Sequence, residues 1–283
     1  MSGRVCVVTG ASGGMGKATA VELARRGATA VLVVRSPGRG EAARSEIERA
    51  TGSRDVHLVL ADLSRQADVR RAADEMLARF PAVHVLVNNA ATHTWRRRET
   101  PDGIEQQWAV NHLAPFLLTN LLLPRMIDAA PARVVTVSSN AHMGVGPLRW
   151  DDLEMGRGRY RGFRQYGYTK LANVLFTREL ARRTAGAGVT ANALHPGVVA
   201  TDLLLNGAPP LKLFRRWMRT PEQGAATAVH LATSPEVEGV TGEYFIDERP
   251  VALAGAATDD EAARRLWSIS ERMTGFNASS TTA

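Results

Sequence analysis

Tyr166 and Lys170 stand four residues apart in the run Tyr166-Gly167-Tyr168-Thr169-Lys170. On a helix that spacing sets both side chains on one face, one above the other. An ammonium beside a phenol favours the phenolate and is expected to draw the tyrosine pKa down from roughly 10 toward neutrality. Such a pair can give a proton to, or take one from, an oxygen being reduced or oxidised. The spacing alone arises in many helices by chance, so the rest of the chain must decide. Tyr168 has Ala172 at its own i+4 position and lacks such a partner. Lysine occurs only at Lys17, Lys170 and Lys212 in a chain whose positive charge is otherwise arginine, and two of these sit beside candidate chemical sites.

The elements that would position this pair follow a regular alternation. Val5-Cys6-Val7-Val8 is a continuous apolar run, the pattern of a strand buried on both faces of a parallel sheet. Thr9-Gly10-Ala11-Ser12-Gly13-Gly14-Met15-Gly16 follows, then a helix through about Arg26. Strand, glycine-rich turn and helix start form a context in which backbone N–H groups can receive a pyrophosphate. A second strand, Ala30 to Val34, ends on Arg35, where a chain that binds NAD would usually carry an acid for the ribose hydroxyl. No acid appears before Glu41; Arg35 and Arg39 stand there instead, with Lys17 nearby, which favours NADP through its 2′-phosphate.

Further strands are expected at Val56–Leu60, Val83–Val87, Arg133–Val137, Thr190–Leu194 and Tyr244–Ile246. Helices are expected at Gln66–Arg79, about Pro101 to Met126, from Tyr166 past Leu180, Glu222–Thr233 and Glu261–Met273. The predicted fold is therefore α/β: one Rossmann-like, doubly wound parallel sheet of about seven strands with helices on both faces. Asp62-Leu63 is placed to meet an adenine edge, and Asn88-Asn89-Ala90 closes the fourth strand. Pro115 cannot donate to the Asn111 carbonyl, so the long helix should kink there and leave that oxygen for water or a ligand. Ser138-Ser139 ends the fifth strand at the edge where open α/β sheets bind ligands. A loop follows over 140–164. Residues 202–218, rich in leucine, read as a lid over an apolar pocket, and 274–283 as a disordered tail after a single domain spanning 1–273.

Composition excludes several classes. Hydrophobic residues make up 45% and charged residues 22% of 283 residues, the balance of a globular protein with a sizeable core. Cys6 is the only cysteine, so no disulfide framework or thiolate metal site is available, and the scattered histidines show no paired ligand spacing. No metal is expected. The net charge of +7 raises nucleic acid as a partner, but apart from Arg96-Arg97-Arg98 and the Arg157–Arg164 stretch the arginines are scattered, and no nucleic-acid motif accompanies them. The longest apolar run, Phe116 to Leu123, is far short of a membrane span, and no signal peptide precedes the first strand. A cytoplasmic location is expected.

Thr9-Gly10-x3-Gly14-x-Gly16, Asp62-Leu63, Asn88-Asn89-Ala90, Asn111, Ser139, Tyr166-x3-Lys170 and Pro196-Gly197 occur together in one order. In these motifs the whole chain resembles the short-chain dehydrogenase/reductase superfamily. Val110-Asn111-His112-Leu113, Lys170-Leu171-Ala172-Asn173, His195-Pro196-Gly197-Val198-Val199 and Ala263-Arg264-Arg265-Leu266-Trp267 are similar to its retinol dehydrogenase-like branch. Bacterial relatives of that branch include ketoreductases of aromatic polyketides. Ala91 departs from the glycine usual at that position.

The resemblance implies a catalytic set of Asn111, Ser139, Tyr166 and Lys170. Tyr166 would exchange the proton, Lys170 would hold the nicotinamide ribose, and Ser139, with Ser138 a rival by adjacency, would bind the substrate oxygen. The Asn111 carbonyl would seat a water leading to Lys170. Cofactor contacts are implied at Gly10, Ser12, Gly13, Gly14, Met15, Gly16, Arg35, Arg39, Asp62, Leu63, Asn89, Ala90, Ala91, Tyr166, Lys170, Pro196, Gly197, Val199 and Thr201.

The expected activity is NADPH-dependent reduction of a bulky apolar ketone or aldehyde. Two alternatives remain: NADP-dependent oxidation of a retinoid-, steroid- or polyketide-type alcohol, and a catalytically silent NADP-binding regulator. A homo-oligomer is compatible with the resemblance.

Overall fold

The computed structural model describes residues 1–199 and 218–277. Alternate residues of the first strand, β1 (Val5–Thr9), face opposite sides of the sheet: Val5 and Val7 enter one apolar cluster, Cys6 and Val8 another. The strand is therefore buried on both faces, as its unbroken apolar run requires. Among the described residues the sheet has eight strands, in the order β3-β2-β1-β4-β5-β6-β7-β8. The others are β2 (Thr29–Val34), β3 (Val56–Leu60), β4 (Val85–Asn88), β5 (Ala132–Val137), β6 (Val189–His195), β7 (Tyr244–Ile246) and β8 (Arg249–Pro250). Pairings are parallel from β3 through β7, and the two-residue β8 adds one antiparallel arm beyond the seven strands expected.

Helices cover both faces. α1 (Gly14–Arg25) and α2 (Pro37–Thr51) pack on one side, with Leu23 and Ile47 in the cluster that contains Val8. α2 carries little sequence signal, being only weakly apolar, and Ser36 caps it by accepting from the Arg39 N–H. On the other side lie α3 (Gln66–Arg79), α5 (Ala114–Asp128) and α6 (Gly162–Arg183), which bring Met76, Phe116 and Phe176 into the cluster of Val7. α7 (Pro221–Thr233) joins the first face, and α8 (Asp260–Thr274) packs with α6.

Two expected boundaries move. The long helix starts at α4 (Gln106–Trp108) rather than near Pro101, because the buried Glu105 carboxylate accepts from the Gln107 and Trp108 N–H groups and fixes the helix start. The ordered chain also runs past 273. α8 ends at Thr274 with Gly275 left-handed at φ +58°, and Phe276 is buried in the core, so the expected tail from 274 does not begin there. Residues 202–217 of the expected lid and 278–283 of the expected tail lie outside the described residues, as does Thr201. Among the described residues, no helix is long and apolar enough to cross a membrane.

Strand order reverses between β1 and β4, the chain having gone outward to β3 and returned. At such a switch point the loops leaving the carboxyl ends diverge and open a crevice. The glycine-rich turn leaves β1 and Asn89-Ala90 leaves β4 at this point.

Candidate active site

The turn after β1 is shaped by close backbone approach. Gly10 is left-handed at φ +69°, and a Cβ there would lie 3.0 Å from the Ala90 Cα. A Cβ on Gly16 would lie 2.5 Å from both Asn89 Nδ2 and the Gly10 carbonyl, well inside contact distance. Thr9 ties the two loops together: its Oγ accepts from the Asn89 and Ala90 N–H groups at 3.0 Å, and its carbonyl accepts from Asn89 Nδ2 at 2.8 Å. Asn89 thus acts through its side chain as a brace between β1 and β4.

The amino end of α1 carries no side-chain cap and no acid in its first turn. Its N–H groups and positive dipole end are left for an anion. A dinucleotide phosphate fits this end: it would lie against the backbone of Ser12, Gly13, Gly14 and Met15. The Arg39 guanidinium comes within 3.4 Å of where a Cβ on Gly13 would stand, so Arg39 reaches over the same turn from α2. Arg35 is exposed at the end of β2. Lys17 turns away and pairs with Glu46, so its charge is engaged between α1 and α2. Asp62 is held by its own loop, accepting from the Ser64 N–H and hydroxyl. Across the crevice Gly197 is left-handed at φ +82° and covered by the Arg219 side chain, which Asp247 pairs. Pro196 precedes that turn, while Val199 is buried and, with Met15, packs at Gly224 of α7.

The long helix behaves as its proline demands. Between α4 and α5 the residues Ala109–Leu113 form a π-helical turn, in which the Ala114 N–H bonds back to Ala109. Pro115 has no N–H to return to Asn111, and widening the helix by one residue accommodates that loss. The Asn111 side chain faces the crevice wall. It accepts from the Thr92 N–H at 2.7 Å and donates to the Thr92 carbonyl at 2.9 Å and to Thr169 Oγ at 3.1 Å.

α6 brings Tyr166 and Lys170 to this wall. Gly167 lies between them because a short 3₁₀ turn, Asn140–Gly144, presses on the helix: a Cβ there would meet Val145 Cγ1 at 2.4 Å and the Ala141 carbonyl at 2.8 Å. A glycine in a helix costs about 0.5–1 kcal/mol, and here it allows the end of β5 to approach the tyrosine. Tyr168 is buried in the core, with the Arg164 guanidinium over its ring. The two serines after β5 separate in role. Ser138 is buried and donates to the Lys170 carbonyl at 2.7 Å, whereas Ser139 Oγ accepts from the Ala141 N–H at 3.2 Å and keeps its proton to donate. His142 holds the Ser139 carbonyl at 2.7 Å.

Lys170 is fully buried, and its Nζ donates to the Val137 carbonyl at 2.8 Å. It lies 5.4 Å from the centroid of the Tyr166 ring. Burial pulls its pKa down from 10.5 to about 7, and burial pushes Tyr166 above its ordinary 10. The expected lowering of the tyrosine by the lysine is therefore not produced by this geometry. Desolvation penalises the charged form of each, and the ammonium faces the ring rather than only the hydroxyl. The phenol is held neutral, and Lys170 beside it lies near its own midpoint at neutral pH.

Several contributors carried no motif signal. Val137 and Arg219 act through a backbone carbonyl and a salt bridge that link distant segments. Thr92 and His93 lie in a loop that Asn111, Gln107 and Gly162 hold through contacts the sequence does not signal.

The sequence profile described as short chain dehydrogenase matches residues 4–150. Retinol dehydrogenase 12 of Mus musculus is 43% identical over 277 residues, covering 97% of this chain and 87% of that protein. Retinol dehydrogenase 14 of Homo sapiens is 41% identical over 296 residues, covering 98% and 88%. A crystal structure of an uncharacterized protein from Mycobacterium paratuberculosis superposes with a TM-score of 0.79 at 36% identity, covering 97% of this chain and 94% of that one. With its glycine-rich crevice and a half-buried Tyr166 beside the buried Lys170, the chain belongs to the short-chain dehydrogenase/reductase superfamily of oxidoreductases, in the retinol dehydrogenase-like branch.

Proposed function

We propose that the protein is an NADPH-dependent cytoplasmic oxidoreductase that reduces the carbonyl of a bulky apolar ketone or aldehyde. The observation that carries this reading is the convergence of Tyr166, Lys170 and a Ser139 hydroxyl with its proton uncommitted, beside an amino-terminal helix end suited to phosphate. NADPH, when bound, supplies the hydride. The backbone of Gly13, Gly14 and Met15 would hold its pyrophosphate. Arg35 and Arg39 would hold the 2′-phosphate, Arg39 because it already overhangs Gly13.

Ser139 donates to the substrate oxygen and turns it toward Tyr166. Tyr166 protonates that oxygen as negative charge develops on it. Lys170, with a pKa near 7, is able both to hold and to release a proton at working pH, and so can restore the phenol. The Asn111 carbonyl, which Pro115 cannot bond, supports the further reading of a water seat toward Lys170.

A second reading is oxidation of a bulky apolar alcohol, favoured by the name retinol dehydrogenase carried by the relatives. The same residues would act in reverse, Tyr166 taking the proton. Initial rates in both directions, with matched ketone and alcohol pairs and all four nicotinamide cofactors, decide between them. Faster reduction with NADPH supports the first reading; faster turnover with NADH would refute the role given to Arg35 and Arg39.

A further inference from the structure

Tyr166 does not face the crevice alone. Its ring meets His93 edge-on, with centroids 5.9 Å apart, and stacks with Phe163 at 6.4 Å. His93 in turn meets Trp95 edge-on at 4.7 Å. Trp95 and Phe163 are 56% and 61% exposed, so the cluster presents open aromatic surface beside the reacting hydroxyl.

The segment bearing His93 is fixed from several directions. Asn111 holds both the N–H and the carbonyl of Thr92. Gln107 Nε2 donates to the Thr94 carbonyl at 3.3 Å, and Gly162 packs so tightly there that a Cβ would fall 2.0 Å from the same carbonyl. Within this rigid setting His93 Nε2 is buried and has no hydrogen-bond partner. Desolvation lowers the His93 pKa, which leaves a neutral ring with one nitrogen to donate and one to accept. A buried polar atom without a partner is unfavourable unless something fills the role, and a fixed ring nitrogen beside a catalytic tyrosine is suited to a substrate.

We propose that His93, Trp95 and Phe163 form a recognition subsite for a flat aromatic carbonyl compound carrying a second oxygen. The rings seat the substrate edge-to-face or stacked, and His93 Nε2 hydrogen-bonds the second oxygen while the carbonyl faces Tyr166. His93 is then a specificity-determining residue. The proposal rests on the reading of Tyr166 as a partner of a substrate oxygen, and it narrows the class of bulky apolar carbonyl compounds to polar-edged aromatic ones.

The test uses α-tetralone, a set of ring-hydroxylated α-tetralones and the saturated analogue α-decalone, assayed with NADPH on the native protein, His93→Phe and His93→Gln. The best hydroxylated ketone is expected to exceed α-tetralone by about tenfold in kcat/KM, a preference built by hydrogen bonding. α-Decalone should be the poorest of the three types. His93→Phe keeps a ring but no nitrogen, and should erase the hydroxyl preference through a rise in KM for the hydroxylated compounds. His93→Gln restores a polar atom and should recover part of it. An unchanged preference in His93→Phe overturns the proposal, as does a native protein that favours α-decalone. Calorimetric titration of the same ketones into the same three proteins separates this from the reductase reading. If no ketone is reduced but the hydroxylated compounds bind in a His93-dependent way, the subsite stands and the reductase reading fails; if they bind without dependence on His93, the subsite fails.

Discussion

Asn111 and Thr92 exchange two hydrogen bonds, the Thr92 N–H donating to Asn111 Oδ1 at 2.7 Å and Asn111 Nδ2 donating to the Thr92 carbonyl at 2.9 Å. One side chain on a π-helical turn thereby locks the loop that carries His93 against the helix that carries Tyr166. Asn111→Ala strands the Thr92 groups and removes a donor from Thr169. We expect a loss of about 2–3 kcal/mol in stability by urea denaturation, since buried partners are left unsatisfied. The accompanying fall in kcat should exceed any change in NADPH affinity, because the cofactor cradle lies on β1 and α1. An equal loss in both would contradict this division.

Lys170 gives the protein a pH signature. Its pKa is 10.5 in the unfolded chain and about 7 when folded, so between those values the unfolded chain binds more protons and stability rises with pH. Below about 7 the buried ammonium destabilises the fold in full. Tyr166, raised above 10 by burial, opposes this at still higher pH, where the unfolded phenol ionises first. Lys170→Met should therefore abolish activity and flatten the rise in thermal midpoint between pH 7 and 10. In the native protein kcat/KM for carbonyl reduction should fall as pH passes upward through about 7, with Lys170 losing its proton. A midpoint rise that persists in Lys170→Met would assign it to another group.

Cofactor choice rests on two arginines. Removing Arg39 takes away the guanidinium over Gly13. Arg39→Ala should raise KM for NADPH by about tenfold, in keeping with a charge-assisted contact of 1.5–3 kcal/mol, and leave KM for NADH nearly unchanged. Equal effects on both cofactors would mean that Arg39 does not read the 2′-phosphate.

Glu105 is a buried carboxylate that ties the start of α4 to Tyr160 and to α6. It accepts from the Gln107 and Trp108 N–H groups, from Gln165 Nε2 at 3.0 Å and from the Tyr160 hydroxyl at 2.9 Å. Burial raises its pKa despite these donors. Glu105→Ala removes the acceptor that four donors share, strands the Gln107 and Trp108 N–H groups, and should cost about 3 kcal/mol or more. Glu105→Gln should cost less, and a chemical denaturation series on both variants measures the difference.

Much of this architecture was legible because local pattern and global fold agreed. The unbroken apolar run of β1 told of two-face burial, and Pro115 told of a break at Asn111, which takes the form of a π-turn. The Tyr166 and Lys170 spacing placed both at one wall. What escaped the sequence depends on contacts between remote segments. The start of α4 is set by Glu105, which nothing in the run from Pro101 signals. Spacing favours a pull of Lys170 on Tyr166, but spacing does not carry desolvation, which dominates for both groups here. Lys17 lies near the glycine-rich turn in sequence, but α2 brings Glu46 to it.

The most direct measurement compares NADPH absorbance loss for native protein and Tyr166→Phe on a panel of bulky aromatic ketones, with NADPH affinity measured by fluorescence on both. The native protein should show steady reduction. Tyr166→Phe should show a kcat lower by on the order of 10²–10⁴, the usual worth of a positioned proton donor, with NADPH bound as tightly as before. Comparable turnover in both proteins would contradict the role of Tyr166, and with it the reading of the site.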